Sequence, residues 1–94
     1  MGRLLVAVIG VASIAATASA EPPAGAVSCS GCHATSARVT TPVPRLLGAD
    51  QAAIVKAMQE FRSGQRPGTV MDRIAKGFTD DEIRAIAAWY AGQR

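Results

Sequence analysis

The chain has no run of lysine or arginine, no aromatic residues interleaved along a basic stripe, and no stretch that alternates polar and apolar residues. The first two absences exclude a nucleic-acid interface, which needs clustered positive charge with stacking platforms. The third excludes sheet-based folds, whose strands repeat every two residues. Ten basic and seven acidic side chains give a net charge of +3, too mild to draw a polyanion. Internal repeats and low-complexity tracts are also missing. Histidine and cysteine are the scarcest chemistry: one histidine and two cysteines in 94 residues. With so few, disulfides cannot tie distant elements together.

The one long apolar run is N-terminal. Arg3 forms a short positive region, Leu4 to Ala16 are apolar, and Ala18-Ser19-Ala20 has the small-x-small pattern that a signal peptidase cuts after. The apolar run is short of the ~20 residues that span a bilayer, and Pro22-Pro23 follow at once. Residues 1–20 are thus expected to be a cleaved signal peptide, leaving 21–94 as a single exported, periplasmic domain with no membrane contact. A lone arginine in place of a twin pair suggests export of the unfolded chain. Without Arg3 the net charge falls to +2. In so small a domain an apolar core rarely supplies more than ~3–5 kcal/mol, so a staple is expected.

Three helical segments are expected. Asp50 is placed as the N-cap of a helix with Ile54, Met58 and Phe61 along one stripe and Gly64 as its stop. Thr79-Asp80-Asp81-Glu82 reads as a capping box, with Phe78 and Ile83 as its hydrophobic staple. Ile83, Ile86, Ala87 and Tyr90 share a face of that helix, Trp89 lies beside them, and Gly92 ends it. A short helical turn over residues 24–30 leads into the cysteines. Residues 34–48 and 63–70, rich in proline and glycine, read as irregular. A 15-residue stretch without regular structure is unusual in so small a domain unless it wraps something. The fold class is all-α with long loops.

All the sulfur and imidazole chemistry but the methionines falls in Cys29-Ser30-Gly31-Cys32-His33. A structural zinc needs four ligands, usually from two separated pairs, and only three are present. A redox dithiol fits the C-x-x-C spacing but belongs near a β-α-β pattern, which is missing. The third chemistry is covalent haem attachment: Cys29 and Cys32 form thioethers and His33 takes the iron. It also supplies the missing staple, because a buried macrocycle gives so small a domain its core. The second axial position is expected to fall to Met71, because Met58 sits mid-stripe as core filler while Met71 follows an irregular segment able to reach the far face of a ring; an open or lysine-ligated iron is the alternative. His/Met ligation suits an electron carrier, not oxygen activation.

These residues resemble the class I c-type cytochromes. Cys29-Ser30-Gly31-Cys32-His33 matches the attachment motif, Pro44-Arg45-Leu46-Leu47-Gly48 matches P-x-L-x-G, and residues 61–66 followed by Met71 match the loop that delivers the methionine. The resemblance implies a small class I cytochrome c fold, with helices and long loops wrapped around one haem c. It also implies that the Pro44 carbonyl orients His33. Residues 69–83 further resemble the cytochrome subunits of flavocytochrome c sulfide dehydrogenases, which implies an FAD-bearing sulfide dehydrogenase subunit as electron donor. A free shuttle among respiratory partners is the alternative. The cytochrome itself makes and breaks no substrate bonds in either setting. Two positions depart from the family: Gly25 stands where an aromatic or large apolar residue is usual, and Ala34 follows the histidine. Arg38, Arg45, Arg62 and Arg66 lie in or beside the haem-wrapping loops, and Arg66 is selected for a propionate contact. Trp89 and Tyr90 read as core, and Lys76 as a solvated charge.

Overall fold

Four helices and no strand make up the regular structure of the described residues, which in the computed structural model are Gly2, residues 7–13 and residues 21–93. They are α1 (Ala26–Cys29), α2 (Gln51–Ser63), α3 (Met71–Ala75) and α4 (Asp80–Ala91). Arg3 and the Ala18-Ser19-Ala20 cleavage pattern lie outside the described residues. Among those described, no helix is long and apolar enough to cross a membrane.

Local chemistry sets the ends of the two long helices. The Asp50 side chain accepts from the Ala53 N–H at 2.9 Å, and Gly64 closes α2 in the left-handed conformation with φ 82°. At α4 the Thr79 hydroxyl accepts from the Glu82 N–H at 3.2 Å, and the Glu82 carboxylate accepts from the Thr79 N–H at 3.0 Å. Asp80, Asp81 and Glu82 crowd the first turn, where the helix dipole favours negative charge.

One helix was not anticipated. Met71, which follows the irregular residues 63–70, is the first residue of α3, so the described residues hold four helical segments where three were expected. Its N-cap Val70 has no side chain able to cap, and five residues are too few to show an apolar period. Tertiary packing against α2 holds it, with Ala75 fully buried.

The core is thin. Fully buried apolar residues are Ala26, Ala75, Ile83, Ile86, Ala87 and Tyr90, and half of them are alanines. Burying Ile83 and Ile86 stabilises the fold by about 1.5–3 kcal/mol each. Ala26, Ile86 and Tyr90 form the centre, with Cys29, Leu46, Leu47, Ile54, Phe78 and Trp89 packed around it. The Tyr90 hydroxyl donates to the Ala26 carbonyl at 2.5 Å, tying α4 to α1. The same contacts bring the cysteine segment and the residue 44–48 loop to one end of α4.

Candidate functional site

Cys29 is the last residue of α1, and the chain then winds on through tight turns. Gly31 N–H donates to Ser28 O at 3.2 Å, Cys32 N–H to Cys29 O at 3.3 Å, and His33 N–H to Cys29 O at 2.9 Å. One short coil therefore carries both thiols and the imidazole. The thiols are unbridged, with Cys29 half-buried and Cys32 exposed.

His33 is fixed from outside that coil. Its Nδ1 lies 2.6 Å from the Pro44 carbonyl oxygen. A carbonyl can only accept, so Nδ1 carries the proton and donates, and Nε2 keeps its lone pair. The loop behind Pro44 is itself anchored. Leu46 and Leu47 pack on the core. Gly48, at φ 71°, donates its N–H to the Tyr90 carbonyl at 3.0 Å. A left-handed glycine thus lets the loop close on the end of α4.

Met71 is half-buried at the start of α3. The segment that leads to it is pinned to α2: Arg66 Nε and Nη2 reach Glu60 Oε2 at 3.0 and 2.9 Å. Arg66 Cζ also stands 5.6 Å from the centre of the Phe61 ring. Its guanidinium is thus engaged with Glu60 and Phe61. Gly68 lies against the same ring, where an added Cβ would come within 2.9 Å of Phe61 Cε1. Arg38 and Arg45 are exposed loop residues, and Lys76 is an exposed residue closing α3.

Burial pushes the Cys29 thiol above its ordinary pKa, partly offset by hydrogen bonds from its own backbone and Tyr90. A reactive dithiol needs the opposite, a thiolate stabilised by nearby positive charge. Among the described residues no three histidine, cysteine or acidic side chains converge on a point that would suit a metal ion. Two unbridged thiols one turn apart, an imidazole with only Nε2 free, and a half-buried thioether fit covalent haem c. Two buried polar atoms also have no protein partner, Trp89 Nε1 and Asp72 Oδ1.

The chain is similar over most of its length to several known proteins. The chain is 33% identical over 70 residues to cytochrome c-554(548) of Halomonas halodenitrificans, an overlap spanning 70% of this chain and 84% of that one. The chain belongs to the c-type cytochromes. As such it is an electron-transfer protein that binds haem c covalently. This cytochrome is also 39% identical over 64 residues to the cytochrome subunit of sulfide dehydrogenase of Chlorobaculum tepidum, covering 68% of its own length and 58% of the subunit. Against the thiosulfate dehydrogenase electron acceptor of Stutzerimonas stutzeri the identity is 37% over 65 residues, 67% of this chain and 30% of the other. The cytochrome thus spans little more than half of the first of these two relatives and under a third of the second. No family model matches it.

Three features of the site went unread in the sequence. Arg62 is structural: Nη1 donates to the Phe78 carbonyl at 3.1 Å and Nη2 pairs with Asp80. The Phe78 ring fills the space that a side chain at Gly25 would need, with Cε1 2.7 Å from where a Cβ would stand. The Gly48 contact with Tyr90 is the third. All three join residues distant in sequence, and the first two show there only as a phenylalanine before a capping box and an arginine near a helix end.

Proposed function

We propose that this cytochrome is a periplasmic, single-haem carrier that accepts single electrons from an FAD-containing sulfide dehydrogenase subunit. Cys29 and Cys32 would form the thioethers to haem c, His33 Nε2 and the Met71 sulfur would ligate its iron, and the Pro44 carbonyl holds the His33 ring. The observation that carries this reading is the 2.6 Å contact between His33 Nδ1 and Pro44 O. It fixes the tautomer and leaves Nε2 as the nitrogen with a free lone pair.

Bound haem c supplies one-electron exchange between ferric and ferrous iron. The chain's own residues orient the donors and limit water. The Pro44 carbonyl accepts the hydrogen bond from Nδ1–H of His33, which leaves Nε2 as the nitrogen available to the iron. Leu46, Leu47 and Ile54 pack with Cys29 on the same apolar core, and such surroundings would favour the less charged state of the iron. Arg66 would contact a propionate only by leaving Glu60, since its fork is already engaged there. Export rests on the N-terminal pattern of residues 1–20, and the flavoprotein partner on the likeness to the Chlorobaculum tepidum subunit.

The test is a visible absorption spectrum of the protein purified gently from the native periplasm. Haem bands together with flavin absorbance are expected. Haem bands alone favour the free shuttle over a stable subunit. A protein without haem overturns the assignment of Cys29, Cys32 and His33.

A further inference from the structure

The family pattern places a large apolar side chain four residues before the first cysteine; this chain has Gly25, in the left-handed conformation at φ 85°. The space is not left empty. A Cβ at Gly25 would stand 2.7 Å from Phe78 Cε1, 3.3 Å from Phe78 Cζ and 3.5 Å from Ile86 Cδ1. The aromatic ring therefore arrives from the opposite side of the contact, carried by the turn between α3 and α4.

That turn is continuous with the methionine helix. Gly77 N–H donates to Ile74 O at 3.0 Å and Phe78 N–H to Ala75 O at 3.3 Å, so hydrogen-bonded turns run from Met71 to Phe78. Arg62 of α2 holds the far end, through the Phe78 carbonyl at 3.1 Å and the Asp80 carboxylate. On the other side, the Gly25 carbonyl accepts from Ser28 Oγ at 2.6 Å and lies 3.6 Å from Cys29 Sγ. His33 N–H in turn donates to the Cys29 carbonyl at 2.9 Å. One ring thus stands between the segment bearing Cys29 and His33 and the segment bearing Met71.

We propose that Phe78, clamped by Arg62 and seated on Gly25, is a positioning residue that sets the separation of the two axial-ligand segments and keeps Met71 on the iron. The proposal rests on Met71 being the sixth ligand. Phe78 touches neither iron nor ligand; it acts through α3. Shortening the ring or releasing the clamp leaves covalent attachment intact but lets α3 drift, so that the methionine opens more often and an outside ligand competes better.

The experiment is imidazole titration of the ferric holoprotein, followed in the visible spectrum, with the midpoint potential measured alongside. Phe78→Leu removes the ring tip and keeps apolar bulk; Arg62→Leu keeps the ring and removes the clamp. Both are expected to bind imidazole about tenfold more tightly than the parent, as a locally destabilised segment opens more often, and to lower the midpoint potential. Asp50→Ala, which removes the cap of α2, serves as a control for general destabilisation. If Asp50→Ala raises imidazole affinity as much as Phe78→Leu, or if neither Phe78→Leu nor Arg62→Leu moves it, the positioning role is overturned. Met71→Ala separates this from the ligand assignment. A tightly binding, open iron in Met71→Ala upholds the assignment, whatever Phe78→Leu does. An iron as closed as the parent's overturns that assignment, and the clamp with it.

Discussion

Replacing Gly25 by alanine tests the packing between α1 and α4 most directly. Two costs are expected. Alanine in the left-handed region loses about 1–2 kcal/mol relative to a right-handed residue, and Gly25 sits there at φ 85°. Separately, the new methyl would meet Phe78 Cε1 at 2.7 Å, well inside van der Waals contact. Forcing the ring aside in a packed contact costs about 1–3 kcal/mol. Gly25→Ala should therefore destabilise by roughly 2–5 kcal/mol, comparable to what the apolar core of so small a domain supplies. The two parts separate in a double-mutant cycle with Phe78→Leu. Leucine lacks the ring atoms in the way, so the steric part should vanish and the backbone part remain. Guanidinium unfolding of the holoprotein at neutral pH, read by far-ultraviolet circular dichroism, gives all four corners. A coupling of about 1–3 kcal/mol is expected. Additivity within about 0.3–0.5 kcal/mol would refute the claim that the ring occupies the place of a side chain at Gly25.

Other outcomes follow from the same contacts. Met71→Ala should keep covalent haem, lower the midpoint potential and admit added imidazole; unchanged ligand access in the visible spectrum would count against Met71. Thr79→Ala should cost about 1 kcal/mol and raise the Glu82 carboxyl only part of the way in an NMR titration, because the backbone N–H of residue 79, the larger cause of its lowering, survives the substitution and only the hydroxyl is lost. The Asp80 carboxyl is held below its ordinary 3.8 by Arg62, first by the hydrogen bond and then by its charge. Its stabilising effect is complete above that ordinary value and fades as pH falls through the depressed one, so the stability gap between the parent and Arg62→Leu should narrow below about pH 4; a gap independent of pH refutes the pairing. A Cys29→Ser, Cys32→Ser double variant cannot form thioethers, and should show no cooperative thermal unfolding by circular dichroism.

How much of this was legible beforehand depended on the range of the interaction. Caps are local, and Asp50, Gly64 and the Thr79–Glu82 box stand where a few neighbouring residues place them. The C-x-x-C-H run is equally local, because covalent attachment requires thiols and imidazole in one turn. The α3 helix was not legible: Val70 cannot cap it and Asp72 alone marks its first turn, so packing on α2 decides it. Arg62 read as one of four loop arginines near a haem edge. Its partner Asp80 lies eighteen residues away, and nothing within either segment announces the pair.

Gly25 shows why a departure from a pattern is not the same as a loss. In isolation it predicts a short or poorly packed N-terminal helix, and α1 is indeed four residues long. Yet Ala26 is fully buried, and the Tyr90 hydroxyl bonds to its carbonyl. The helix is short because glycine in the left-handed conformation starts it late, and it is held because α4 and Phe78 supply the bulk that Gly25 lacks. The contact needs one small residue and one ring, and either side can carry the ring. Moving it to the turn after α3 has a consequence that an aromatic on α1 would not: the residue that packs the cysteine helix now sits on the same hydrogen-bonded run as Met71. With Met71 as the proposed sixth ligand, packing of the attachment site and delivery of the methionine would become one mechanical unit, which is why loss of the Phe78 ring is expected to register at the iron and not only in the unfolding curve.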